Sequence, residues 1–378
     1  MIYLDCAATS MQKPRAVHQA VERAMRTMAS PGRGSHAPAM HAADTAFACR
    51  SEAAALFHMD APENVVLTFN ATHGLNIAVN ALVRPGDKVV ISGFEHNAVT
   101  RPLRLHGAQI AVAAGGLFDP DALTAGFAAA LPGAKAAVCT MMSNVFGYIT
   151  PIADIAAQCR KAGVPLIIDA AQGAGCLDLD FPALGADFAA MPGHKGLLGP
   201  QGTGLLLCAR PAPPLLAGGT GSDSANPEMP AFLPDRLEAG THNIPGIAGL
   251  LEGIRFVRRQ GTDSLLGHET ALLGEFAGRI GRIPDLEVFR AENPVLQGGV
   301  LSVRHPRIDC EALAAELGQR GVAVRAGLHC APLAHATAGT RETGTLRFSF
   351  SPFNTRQETA RAAAVLGECV KKLDTGAK

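Results

Sequence analysis

The sequence predicts an α/β protein, with a large domain built on a mostly parallel sheet covered by helices and a smaller α+β domain after it. Three observations carry this. Short apolar runs alternate with helix-length stretches between Val65 and Cys208, polar or acidic residues recur at the ends of those runs, and the pattern changes beyond a Pro-, Gly- and Ser-rich stretch at Ala209 to Asp235. Strands that are apolar on both faces belong in parallel sheets with helices above and below. A chain of 378 residues suits two domains. It buries about three quarters of its unfolded surface, so the core needs no disulfide or metal to hold it.

In order, the chain opens with a non-helical arm, Asp5 to Thr9 and on to Lys13-Pro14, then a helix from Arg15 to Met28. Ser30 to Pro38 reads as a Gly/Pro loop carrying His36, ahead of an alanine-rich helix at Ala39 to Phe57. Strands are expected at Val65–Phe69, Lys88–Ser92, Gln109–Ala113, Ala136–Thr140, Leu166–Asp169, Phe188–Met191 and Gly204–Cys208. Helices at Thr72–Leu82 and Ala98–Leu105 join the first of these. Asp119-Pro120 supplies an N-cap and a first-position proline for a helix to Leu131, and Thr150-Pro151 reads the same way for a helix closed by Gly163. Ala209 to Asp235 is long for an internal connection and reads as a lid or subunit-contact loop.

A helix near Ile247–Gln260 then bridges to the smaller domain. That domain is expected to hold strands at Leu286–Arg290, Gly299–Val303, Val322–Arg325 and Thr345–Phe350, with a helix at Asp309–Arg320. The last helix enters through a capping box, Thr355 with Glu358, and runs to about Leu373, leaving TGAK as a frayed tail. The expected division is 15–245 for the large domain, with 1–14 and 246–378 forming the arm and the small domain.

Lys+Arg and Asp+Glu each number 33, so no charge field points to nucleic acid or to an anionic membrane. No apolar run reaches the ~18 residues a membrane span requires, and MIYLDCAATS has the pattern of neither a secretory signal nor a transit peptide. Nine cysteines without CxxC spacing suit a reducing compartment, and the expected location is the cytoplasm.

Ligands bind such sheets beyond the carboxyl ends of the strands, and the reactive residues gather there. Asp169 ends one apolar run, and Lys195 follows another within Gly193-His194-Lys195, just before the glycine-rich GLLGPQGTG. That pair is what pyridoxal phosphate requires: an amine for a Schiff base and a carboxylate that keeps the pyridinium nitrogen protonated. Asn70-Ala71-Thr72-His73-Gly74 joins a strand to a helix start, where amides and the Thr72 hydroxyl, beside His73, can hold a phosphate. His96 can lie flat on the pyridine ring or serve as an ordinary loop residue. Arg347 interrupts the apolar strand TLRFSF. Either an internal salt bridge or a bidentate grip on a substrate α-carboxylate would satisfy it.

Cys330 lies in VRAGLHCAP with no periodicity to hold it in a core, while the other cysteines fall on arm, helix or strand positions and read as structural. Cationic neighbours keep a cysteine as thiolate, the form that attacks sulfur, and the candidates here are Arg325 and His329. His329, Cys330 and His335 lack a fourth ligand at metal-site spacing, so no metal is expected.

DxAQ at Asp169–Gln172, GHK at Gly193–Lys195, GPxGxG at Gly199–Gly204, EAGT at Glu238–Thr241 and RxGxHC at Arg325–Cys330 together resemble one family. It is the class V aminotransferase branch of the fold-type I pyridoxal phosphate enzymes, and within it the cysteine desulfurases and selenocysteine lyases. The likeness runs from YLDCAAT to RFSFSPFNT. It implies a pyridoxal 5'-phosphate-dependent desulfurase that converts L-cysteine to L-alanine and forms a persulfide on Cys330. A selenocysteine lyase, or another class V lyase or aminotransferase with Cys330 incidental, is the alternative. By the same resemblance Lys195 carries the cofactor, Asp169 faces the pyridinium, Gln172 the ring hydroxyl, and His96 stacks on the ring. Thr72 and His194 hold the phosphate, with Thr241 supplied by the second subunit of a homodimer. Asn144 and Arg347 take the substrate carboxylate, with Arg325 and the second subunit's His36 nearby. The short loop around Cys330 is similar to that of the group II desulfurases, and a sulfur-acceptor protein is the implied partner. Pro192 and Ala71 stand where family members often carry Ser or Thr, so two phosphate hydroxyls are missing.

Overall fold

The computed structural model describes residues 1–31 and 34–376. Strand β1 (Ile2–Tyr3) precedes helices α1 (Arg15–Thr27) and α2 (Ala37–Leu56). Then come β2 (Val65–Thr68), α3 (Ala71–Leu82), β3 (Lys88–Ile91), α4 (Asn97–Leu105), β4 (Gln109–Val112), α5 (Pro120–Ala130) and β5 (Ala136–Thr140). The alternation continues with α6 (Ile152–Ala162), β6 (Leu166–Asp169), α7 (Phe181–Leu184), β7 (Phe188–Pro192) and β8 (Gly204–Cys208). Beyond the irregular stretch lie α8 (Ile244–Gln260), α9 (Thr262–Ile280), β9 (Glu287–Phe289), β10 (Val300–Arg304) and α10 (Cys310–Gln319). The chain ends with β11 (Val322–Ala323), β12 (Arg325–Gly327), α11 (Pro332–Thr337), β13 (Thr345–Ser349) and α12 (Arg356–Gly376).

The large sheet has seven strands in the order β2-β8-β7-β6-β5-β3-β4. Neighbours from β4 through β7 are parallel, and β8 alone runs against both strands beside it. Each strand feeds two cores, one per face: Leu166 and Ile168 enter one hydrophobic cluster and Ile167 the other. That is the two-residue period of a strand packed on both sides. The turn from β7 toward β8 needs glycine at 193, where a Cβ would lie 2.2 Å from Thr203 Oγ1. This close approach fixes the backbone just ahead of His194-Lys195. Because the parallel strands share one direction, the residues that follow β2, β3, β5, β6 and β7 all emerge at one edge.

A second, four-stranded antiparallel sheet, β12-β13-β10-β9, has its own core. Phe276 of α9, Leu301 of β10, Phe348 of β13 and Leu366 of α12 meet there, together with Ile2 and Leu4 of the N-terminal arm.

Several sequence expectations change. Helix α9 carries no sequence signal strong enough to mark it. It follows α8 after Gly261 alone, and its apolar stripe of Leu265, Leu272, Phe276 and Ile280 is broken by the buried Glu269. The single strand expected at Val322–Arg325 is two, with β11 pairing β1 and β12 pairing β13. Thr150 does not cap α6. It is buried, and its hydroxyl donates to Thr140 O at 2.7 Å, tying the end of β5. Within the expected loop at Ser30 to Pro38, positions 32 and 33 lie outside the described residues. His36 is the N-cap of α2, its Nδ1 accepting from Ala39 N at 3.4 Å. Helix α12 runs on to Gly376, and of the expected frayed tail positions 377 and 378 lie outside the described residues.

Candidate active site

The strand ends enclose a cavity of about 220 Å³ lined by Thr72, His96, Asn144, Asp169, Gln172, His194 and Lys195. Lys195 is half-buried, and desolvation brings its amine down to about 8, with the Arg347 and Arg325 charges adding to the effect and Asp169 opposing it. Asp169 ends β6, and its Oδ1 accepts from Ala171 N at 2.9 Å. Burial raises its pKa, while the Ala171 amide and the Lys195 charge hold it down.

His96 caps α4, and its Nδ1 accepts from Ala98 N at 3.0 Å. An accepting Nδ1 leaves the proton on Nε2. Burial first, then the positive charge of Lys195, pulls the imidazole down to about 4, so the ring is neutral. His194 is neutral for the same reason, at about 4, and its Nδ1 faces Thr9 Oγ1 at 3.0 Å. Gln172 Nε2 donates to Ala7 O at 2.9 Å, which ties the N-terminal arm to the cavity wall.

The α3 helix begins at the cavity. Asn70 Oδ1 accepts from His73 N at 2.9 Å and Asn70 O from Gly74 N at 3.3 Å. The amides of Ala71 and Thr72 are the remaining first-turn donors, in the place where a helix favours an anion. Ala71 and Pro192 both line the cavity without a hydroxyl. His73 does not line it: its ring stacks on Phe69 with centroids 4.4 Å apart.

Arg347 is buried, and the salt-bridge alternative is realised through the arm, with Nη2 donating to Asp5 Oδ1 at 2.7 Å and Nη1 to Asn144 O at 2.9 Å. Its Nε has no partner among the described residues. Arg325 lies directly opposite Arg347 on the neighbouring strand and shares Asp5, with Nε to Oδ2 at 3.3 Å. Like charges across a strand pair repel, and Asp5 offsets both. Sequence reasoning placed Asp5 only in an arm; nothing local marks a residue whose partners lie more than three hundred positions away.

Cys330 is exposed, while the other eight cysteines are buried or half-buried. Its loop is tied to the cavity at two points: Cys330 O accepts from Asn97 N at 2.7 Å, and His329 O from Asn144 Nδ2 at 2.8 Å. The expectation of two cationic neighbours is corrected. His329 is buried, and desolvation, aided by the Arg347 charge, drives it down to about 2, so it is neutral. Its Nε2 faces Thr345 O at 3.2 Å. Thr241 and His36 are exposed and do not line this chain's own cavity.

The donor set fits a phosphorylated pyridine aldehyde: a half-buried amine, a buried carboxylate across the cavity wall from it, a neutral flat ring, and a helix start for the phosphate. An α/β sheet with that site at its carboxyl edge defines a pyridoxal phosphate enzyme class. The family model for Aminotransferase class-V matches residues 2–361, and the chain belongs to that family. A probable cysteine desulfurase of Methanothermobacter thermautotrophicus is 31% identical, aligned over 98% of this chain and 94% of its own length. One from Xylella fastidiosa is 34% identical over 97% of this chain and 90% of its own. Among solved structures, the apo cysteine desulfurase of Thermococcus onnurineus superposes with a TM-score of 0.90 at 28% identity, covering 98% of this chain and 95% of that one. Among the described residues no helix is long and apolar enough to cross a membrane, and no His, Cys, Asp and Glu cluster could hold a metal.

Proposed function

We propose that this chain is a pyridoxal 5'-phosphate-dependent cysteine desulfurase, which takes L-cysteine to L-alanine and carries the sulfur as a persulfide on Cys330. The observation that carries the reading is an exposed thiol in a loop bonded to the residue next to His96, through Asn97 N and Cys330 O at 2.7 Å. The names of the similar proteins point the same way.

Lys195 and Asp169 would hold the cofactor's carbonyl carbon and ring nitrogen, Gln172 its ring hydroxyl, and Thr72, His194 and the α3 amides its phosphate. Bound there, the cofactor supplies an electron sink for the pair left when the substrate Cα proton departs. An amine near 8 is matched to taking that proton at neutral pH, so Lys195 is the base. His96, neutral and oriented by Ala98 N, presents a flat ring face. Arg347 does not line the cavity as it stands, so gripping the substrate carboxylate beside Asn144 would mean loosening its bridge to Asp5. Cys330 thiolate then attacks the substrate sulfur. An S–S bond forms, the Cβ–S bond breaks, its electron pair stays with carbon, and a proton completes the methyl group of alanine.

We take the active unit to be a homodimer in which Thr241 and His36 serve the neighbouring cavity, since both are exposed and neither lines its own. An exposed persulfide suits transfer to an acceptor protein. Nine free cysteines are consistent with a cytoplasmic setting. The arm's Ile2 and Leu4 join the small-domain core, as the expected division has it, whereas Ile247, Leu250, Leu251 and Ile254 of α8 pack in the large-domain core beyond the expected boundary at 245.

The test is Cys330→Ala. It is expected to fold and to turn yellow with the cofactor, yet release no sulfide or alanine from cysteine. Unchanged alanine production would overturn the persulfide step, and cleavage of selenocysteine at wild-type rate would favour the selenocysteine lyase alternative.

A further inference from the structure

We propose that Glu269 is a proton-holding residue for Lys195, connected to it by water in a small cavity that both residues line. The turnover part of this proposal rests on the desulfurase reading; the spectroscopic part does not.

Glu269 occupies a core position on α9, where Leu265 precedes it and Leu272, Phe276 and Ile280 continue the same face. A carboxylate in such a place must be paired or protonated. Among the described residues no Lys or Arg pairs with it, and its one hydrogen-bonding contact is the Cys176 thiol, 4.0 Å from Oε2. The backbone opposite is shaped for the carboxyl: a Cβ at Gly299 would lie 2.5 Å from Oε2. A hydrophobic residue would suit the α9 stripe better, so the acid is not there for packing.

The carboxyl opens on a cavity of about 40 Å³ that Lys195 also lines. Ser10, Gln172, Ser349 and Ser351 are the polar groups along its wall. A volume of that size holds roughly two or three waters, and each needs two to four polar partners. The hydroxyls, the Gln172 amide and the two end groups supply them. The other titratable groups facing Glu269 are thiols: burial lifts Cys6 to about 12 and Cys176 well above its usual value, so both stay neutral. Lys13 does not line the cavity but reaches its wall, Nζ donating to Ser10 Oγ at 2.9 Å, and desolvation brings it to about 8 as well. Burial moves Glu269 up to about 8, and Lys195 comes down to about 8. Two groups of matched affinity at the ends of one water chain can pass a proton either way.

Lys195 becomes an ammonium when it takes the Cα proton. In molecules whose Glu269 is ionised, the state that gains ground as the pH reaches about 8, it gives a proton to the adjacent water, the chain shifts by one bond, and the Glu269 carboxylate becomes the acid. The reverse shift returns a proton to Lys195 for delivery to carbon, with no net gain or loss. One consequence separates this from a structural role. The abstracted proton mixes with the protons of the water chain before the product forms.

The first test is infrared spectroscopy of the cofactor-free protein across the pH range. The difference between wild type and Glu269→Gln should contain a protonated-carboxyl band, and Lys195→Ala should move that band or its titration midpoint. A carboxyl band indifferent to Lys195→Ala overturns the proposal whatever the enzyme's activity. This arm keeps Glu269 in place, so it decides even where Glu269→Gln fails to fold. The second test feeds Cα-deuterated L-cysteine to the holoenzyme and weighs the alanine. Wild type should lose most of the label, and Glu269→Gln should retain severalfold more. Equal retention overturns the relay. Wild type releasing no alanine at all would sink the desulfurase reading instead, and the infrared result would still stand on its own.

Discussion

Lys195 sits half-buried in the turn after a strand buried on both faces, whereas Cys330 is exposed in a loop where His329 and Cys330 adopt φ of 48° and 55° in succession. The first residue's chemistry comes from desolvation, which the large sheet enforces. The second owes its access to a backbone that non-glycine residues rarely adopt, held by hydrogen bonds from Asn97 and Asn144. The base therefore depends on the fold as a whole, and the nucleophile on a few local contacts. Each side of that contrast can be broken separately.

Replacing Lys195 should have the largest effect. Lys195→Ala is expected to lower turnover by about 10²–10⁴-fold or more, the usual worth of a positioned acid–base group, and to abolish the borohydride-trappable adduct with the cofactor. Steady-state rates and mass spectrometry of the reduced protein check this, and an adduct that persists would move the assignment to another amine. Cys330→Ala should abolish sulfide release while unfolding within about 0.5 kcal/mol of wild type apart from backbone strain, as exposed positions do.

A smaller effect tests the burial of Lys195 directly. In the folded, cofactor-free protein the amine titrates near 8, against 10.5 when free. Below about pH 8 both states are protonated and the cost of burying the charge is fully present. Between about 8 and 10.5 the unfolded chain binds more protons, so stability from this group rises with pH. Lys195→Met removes the cost. Its stability advantage over wild type should be greatest at pH 7 and smaller at pH 10 by on the order of 3 kcal/mol, at 1.36 kcal/mol per pKa unit. Lys13 is common to both proteins and cancels in the difference, while His96 and His194, which the Lys195 charge helps to hold near 4, titrate below this window. An advantage independent of pH would show that Lys195 is not desolvated.

The same contrast governs what the sequence discloses. The sheet was legible because β2, β5 and β6 are apolar up to a polar last residue, and burial on both faces explains such runs. Asp169, Lys195, His96 and Thr72 were legible because they follow strands whose common edge is set by parallel topology. The Cys330 surroundings were less so. His329 looks cationic in the sequence, and only its burial beside Arg347 makes it neutral. The Asp5 bridge to Arg347 and Arg325 joins the two ends of the chain, and no local pattern encodes it. Helix α9 escaped because its periodicity is interrupted by an acid whose place is explained by a cavity, not by the helix.

The smallest predicted effect bears on the strain at Cys330. A left-handed backbone costs a non-glycine residue roughly 1–2 kcal/mol, a penalty that glycine escapes. Cys330→Ala and Cys330→Gly both remove the thiol, and both should be inactive in sulfur release. They should differ in stability. At a position with φ of 55°, glycine fits without strain but loses more entropy on folding, so Cys330→Gly should exceed Cys330→Ala by about 0.5–1 kcal/mol. The measurement is the denaturant midpoint of the two variants at equal slope, which confines the difference to stability. At an ordinary exposed position the order reverses, because alanine there has the less disordered unfolded chain. Alanine as the more stable variant would therefore show that the Cys330 backbone relaxes out of the left-handed region in solution. Access to the thiol would then come from a mobile loop, not a strained one.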